Sequence, residues 1–147
     1  MMRYIFLISL FLSSLNFAQE INWVSINDAE KMQLQSPEKP MFIDVYTDWC
    51  GWCKQMDNTT FKNEEVVSFI NEYYIPVKFD AEQKQEITFK GQKFEYMEVG
   101  RKGVHQLAAA LLQGNLSYPS YVVINSNNEL THLLRGYMKP NDLLNSF

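Results

Sequence analysis

Met41-Phe42-Ile43-Asp44-Val45-Tyr46-Thr47-Asp48-Trp49-Cys50-Gly51-Trp52-Cys53-Lys54 is the stretch from which the fold can be read. Its first six residues are an apolar run of strand length, broken only by Asp44. Two cysteines follow almost at once, and they are the only two in the chain. A Cys-x-x-Cys pair that follows a strand and opens a helix suits a reversible intramolecular disulfide. Backbone N–H groups at a helix start, with the positive end of its dipole, favour a thiolate there. A bridge across two intervening residues closes a tiny loop, and loop-closure stabilisation grows with loop length. The pair is therefore a poor staple and a good reactive group, with a structural disulfide as the alternative. Two thiolates make half of a tetrahedral metal set. The only histidines, His105 and His132, stand far away in sequence and read as ordinary helix and strand residues. No metal site is expected.

Outward toward the N-terminus, Ser25 to Lys39 reads as an amphipathic helix and a loop. Ser25 or Asn27 can cap it and Pro37 ends it. Met1 to Ala18 has the pattern of a secretory signal. Arg3 is a short positive region, Tyr4 to Leu12 an apolar core, and Ser13 to Ala18 a more polar stretch that closes on a small residue. The core is short for a transmembrane helix, which needs ~20 apolar residues, and an uncleaved anchor is the alternative. The expected domains are a signal peptide over 1–18 and a single folded domain over 19–147. With 46% hydrophobic residues the chain can build a real core without disulfide staples. A formal net charge of −4 speaks against nucleic acid or an anionic membrane surface as a partner.

Toward the C-terminus, Met56 and Phe61 punctuate a short helix. Asn63 caps another, with Glu64 and Glu65 in its first turn. Val66, Phe69, Ile70 and Tyr73 fall at helical spacing and are expected to face the core. Ile75 to Asp80 is the next strand, so a right-handed parallel crossover is expected. Ile87-Thr88-Phe89 and Lys93-Phe94-Glu95-Tyr96, flanking Lys90-Gly91-Gln92, predict a small hairpin. Val104, Leu107, Ala108 and Leu111 mark one face of a helix, with Gly114 as its C-cap. Tyr121 to Ile124 and Leu130 to Leu134 read as antiparallel strands around a polar turn. Pro140 and Asn141 open a last helix that runs to Phe147.

From about Trp23 to Phe147 this order resembles the thioredoxin-like superfamily. Phe42 to Lys54 is similar to the active-site stretch of thioredoxins. With Thr60-Phe61 and Glu65-Val66 it also resembles the C-terminal domain of the membrane electron-transfer protein DsbD. The resemblance implies an α/β thioredoxin fold, a central mixed β-sheet flanked by helices, with an extra hairpin insertion around 86–97. It implies a thiol–disulfide oxidoreductase in which Cys50 attacks and Cys53 resolves. Asp44 stands where thioredoxins carry a buried aspartate that takes the resolving cysteine's proton. Tyr118-Pro119 precedes a strand where the family carries a cis-proline, and Gly136 sits where it often has glycine. Trp52 departs from the proline of thioredoxins and the histidine of the oxidase DsbA, which leaves the direction of exchange open.

The catalytic candidates are thus Cys50, Cys53 and Asp44. Trp49, Gly51, Trp52, Tyr118 and Pro119 are the candidates for substrate binding. No cofactor is expected beyond the redox-active Cys50–Cys53 disulfide. The expected partners are protein disulfides and a redox partner protein, met by a monomer in the periplasm or another extracytoplasmic space. Neither nucleic acid nor stable membrane insertion after signal cleavage is expected. Two other classes stay open: a non-catalytic binding module or chaperone that uses 81–103 as its contact surface, and a thiol metallochaperone.

Overall fold

A computed structural model describes residues 19–147; the expected signal segment, 1–18, lies outside the described residues. In chain order the elements are α1 (Ile26–Gln35), β1 (Met41–Tyr46), α2 (Gly51–Asn58), a 3-10 turn (Thr60–Lys62), α3 (Glu64–Tyr73) and β2 (Ile75–Asp80). An insertion follows, with β3 (Ile87–Phe89), β4 (Gln92–Phe94), β5 (Tyr96–Met97) and β6 (Val104–His105). Then come α4 (Gln106–Leu111), β7 (Ser120–Ile124), β8 (Leu130–Arg135) and α5 (Pro140–Leu144).

β1 is the spine. It pairs parallel with β2 and antiparallel with β7, and the four-stranded sheet runs β2-β1-β7-β8. α2, the 3-10 turn and α3, between β1 and β2, make the parallel crossover that the order of elements predicts. Alternation along β1 divides the core in two. Met41, Ile43 and Val45 join the cluster that holds α1, α4 and the insertion. Phe42 joins the cluster under α2, α3 and α5, with Phe61, Val66, Ile70, Tyr121 and Leu143. Asp44 shares the Phe42 face, two residues on.

The local signals act as expected at most ends. The Ser25 hydroxyl accepts from the Asp28 amide at 3.2 Å, and the Asn63 side chain accepts from the Glu65 and Val66 amides. The hairpin forms as β3–β4, with Gln92 in the second strand rather than the turn and Tyr96 outside it, in β5. Lys90 and Gly91 both take positive φ, 52° and 76°, as a two-residue turn between twisted strands requires. Gly114 closes α4 at φ 78°, with its amide on the Ala109 carbonyl at 2.9 Å.

Four details differ from the sequence reading. On α3 the exposed residue is Tyr73 and the buried one is Val67, so the core stripe lies rotated toward Val66, Val67 and Ile70. Val104 is not in a helix but in β6, which pairs with β5 to make a second small ladder in the insertion. The helix starts later because the fully buried His105 caps it, Nδ1 accepting from the Leu107 amide at 3.2 Å. The last helix stops at Leu144, and Phe147 folds back against Phe42, Phe69 and Tyr74.

Candidate active site

Cys50 and Cys53 are joined as a disulfide, with their Cα atoms 5.3 Å apart. Cys50 is the N-cap of α2, and its sulfur accepts the Cys53 amide at 3.1 Å. That amide is one of the unpaired donors every helix start carries, and here it is aimed at sulfur. The roles of attacker and resolver are not matched by a contrast in exposure. Cys50 is 4% exposed and Cys53 3%. What separates the two sulfurs is the hydrogen bond to Cys50, not access.

Under α2 the face of the sheet is polar where the core should be apolar. Asp44 is 1% exposed on the central strand. Its register partner on β2 is Lys78, whose ammonium donates to Asp44 Oδ2 at 2.6 Å and also to Asp57 Oδ1 from α2. The ammonium lies 5.0–5.6 Å from the centres of the Trp23, Tyr46 and Phe61 rings, so aromatic faces stand where water would otherwise solvate it. Burial pushes the Asp44 carboxyl up to about 6, against the pull of Lys78, and Asp57 adds to the rise. The two acids and their neighbourhood in turn hold the Lys78 ammonium above its ordinary value, although burial opposes this. Asp44 has Lys78 as its hydrogen-bond partner and makes no hydrogen bond to either sulfur; its Oδ1 has no partner.

An aromatic rim surrounds the disulfide. Trp49 is 54% exposed and Trp52 63%. The Trp49 indole N–H donates to Glu82 at 2.8 Å, its ring meets Tyr118 edge-on at 5.9 Å, and the Lys102 ammonium sits 4.3 Å from its centre. Trp52 leans on Tyr137 at 5.5 Å. Gly51 is exposed at the first helical position, and a Cβ there would meet open space, so no steric need fixes glycine. The Tyr118–Pro119 bond is cis, and the Pro119 carbonyl accepts the Gly136 amide at 2.8 Å. Tyr118 meets Trp49, the neighbour of Cys50.

Sequence reasoning missed Lys78, Asp57, Tyr137, Glu82 and Lys102. Lys78 left a signal, a lone base inside an apolar strand with a lone acid inside the strand before it. The others carry none, because only the fold brings them to the site. His105 is structural as expected, with Nε2 3.0 Å from the Gln85 carbonyl oxygen.

The chain is similar to known proteins. A family model, Thioredox_DsbH, described as a protein of unknown function (DUF255), matches residues 6–131. The thiol:disulfide interchange protein DsbD of Photorhabdus laumondii is 38% identical over 55 residues, 37% of this chain and 9% of that one. Human spermatogenesis-associated protein 20 is 27% identical over 67 residues, 46% of this chain and 8% of that one. The chain thus spans only a small part of these curated relatives. A solution structure of a candidate disulphide-isomerase from Bacteroides thetaiotaomicron superimposes with a TM-score of 0.60 at 25% identity, covering 87% of this chain and 90% of that one.

Proposed function

The chain belongs to the Thioredox_DsbH family, and from that premise we propose that it is an exported thiol–disulfide oxidoreductase acting on protein disulfides as reductant or isomerase. The observation that carries the reading is the Cys50 sulfur at the start of α2, receiving the Cys53 amide. In the reduced protein that amide and the helix dipole stabilise a Cys50 thiolate. The thiolate attacks one sulfur of a substrate disulfide, forms a mixed disulfide, and releases the other substrate sulfur as thiolate. Cys53 then gives its proton to Asp44 and attacks the Cys50 sulfur. The Cys50–Cys53 bond forms, the mixed bond breaks, and the second substrate thiol leaves. The substrate is reduced by two electrons and the dithiol is oxidised. A redox partner protein must re-reduce it. Trp49, Gly51, Trp52, Tyr118 and Pro119 form the landing surface for the substrate segment. The protein works as a monomer in an extracytoplasmic space.

Mixed-disulfide trapping tests the order of attack. Cys53→Ser is expected to accumulate adducts through Cys50 on non-reducing gels, and Cys50→Ser almost none. Equal trapping by both variants removes the assignment. The reduction potential of the pair decides direction: near about −270 mV it is a reductant, near about −120 mV an oxidant. A mature protein that turns over no disulfide substrate is a binding module instead.

A further inference from the structure

Three buried side-chain oxygens among the described residues have no hydrogen-bond partner: Asp44 Oδ1, the Thr47 hydroxyl and the Tyr121 hydroxyl. Each such group carries a desolvation cost, so each needs a reason. Two of the three are neighbours by register. Tyr121 on β7 stands opposite Asp44, as Lys78 does on β2. Residues directly opposite on adjacent strands point to the same face. Lys78, Asp44 and Tyr121 therefore form one row across three strands, beneath the helix that carries both cysteines. Thr47 lies beyond β1 and has no place in that row.

The Tyr121 ring is fixed by packing. It is fully buried, stacked on Phe42 at 5.9 Å and edge-on to Phe61 at 5.8 Å. Its hydroxyl is a donor without an acceptor, and Asp44 Oδ1 is an acceptor without a donor. The other groups that face them are Lys78 from β2, Asp57 from α2 and Tyr137 after β8. Lys78 is committed to Asp44 Oδ2 and Asp57, and the Tyr137 hydroxyl lies 3.4 Å from Thr59 Oγ1. Asp57 Oδ1 accepts from Lys78. Lys78 keeps a third N–H, but the Tyr121 hydroxyl is the donor of this row that has no partner at all.

We propose that Tyr121 is a positioning residue for Asp44: its hydroxyl donates to Oδ1, on a small carboxyl rotation or through one water, and so sets the pH at which Asp44 ionises. The functional weight of this rests on Asp44 being the base for Cys53. A donor favours the charged carboxylate. Removing it makes Asp44 harder to ionise and moves the acid limb of mixed-disulfide resolution to higher pH.

The test is Tyr121→Phe, which keeps the ring and its contacts with Phe42 and Phe61. The Asp44 side-chain carbon is titrated by NMR in the oxidised, aspartate-labelled protein, with Asp44→Asn to identify the signal. The midpoint is expected to rise by about one pH unit, the effect of one hydrogen bond to a charged group. An unmoved or lowered midpoint overturns the proposal. A packing role alone would change thermal stability and leave the midpoint in place. In the reduced protein, the pH of half-maximal resolution should rise by the same amount. The titration needs no turnover, so it decides the Tyr121 contact even if the oxidoreductase reading fails.

Discussion

At the scale of single residues, Asp44 links stability to pH. Its folded-state value of about 6 lies above the ordinary carboxylate value of 3.8 because burial disfavours the charge. The folded protein therefore holds this proton more tightly than the unfolded chain does. The stabilisation is complete below the unfolded value and is lost as pH rises through about 6. From this group alone, stability should fall by about 3 kcal/mol between pH 3 and pH 7. Asp44→Asn should remove that fall and be the more stable protein at pH 7. Urea denaturation of both at several pH values checks it, and parallel curves would contradict it. The same variant should slow mixed-disulfide resolution more than its formation, as stopped-flow traces would show. The Cys50–Cys53 disulfide and the buried Asp44 were legible in the sequence because their signals are local: a pair at fixed spacing, and an acid where only apolar residues belong. The partners of Asp44 were not, because Lys78 and Asp57 meet it only across strand register and under a helix.

At the scale of elements, the insertion is tied to the site through Gly103. A Cβ there would collide with the Tyr96 ring and the Met97 carbonyl oxygen, and backbone cannot give way as a flexible side-chain end can. Gly103→Ala should therefore push β5 and β6 apart, at a cost of about 1–3 kcal/mol as for other overpacked sites. Hydrogen exchange should quicken at Gln106, whose amide bonds the Glu95 carbonyl at 2.9 Å. Lys102, next in the chain, would be drawn off the Trp49 ring. Unchanged protection at Gln106 would show that the ladder does not depend on this glycine. The β3–β4 hairpin was readable from alternating residues around Lys90-Gly91. The β5–β6 ladder was not, because two-residue strands have no periodicity to read. On α3, helical spacing fits Phe69 and Tyr73 as well as Val67, and only the tilt of the helix on the sheet decides between them.

At the scale of the whole molecule, the segment before α1 closes an edge. The Val24 amide bonds the Pro76 carbonyl at 2.9 Å and the Lys78 amide bonds the Val24 carbonyl at 3.1 Å, so the chain runs beside β2 as a short extra strand. This covers backbone groups that an open edge would offer to other chains. Trp23, in the same segment, packs on Phe61 at 5.2 Å and Phe42 at 6.2 Å and lies under the Lys78 ammonium. Trp23→Ala should cost about 3 kcal/mol and lower the thermal midpoint; an unmoved midpoint would mean the segment merely rests on the domain. Outside the insertion the element order was legible, but this edge cover was not, since Asn22 to Ser25 show no strand alternation. The sheet order also has a consequence in time. β1 lies between β2, close in sequence, and β7, far downstream. A growing chain that has emerged only as far as Asp80 already carries both thiols and their parallel β1–β2 unit. It still lacks Tyr118, Tyr121 and Tyr137, and local pairings form before distant ones. Until the last third arrives, β1 has no neighbour on its β7 side, and the rings beside the two cysteines lack the Trp49–Tyr118 and Trp52–Tyr137 contacts.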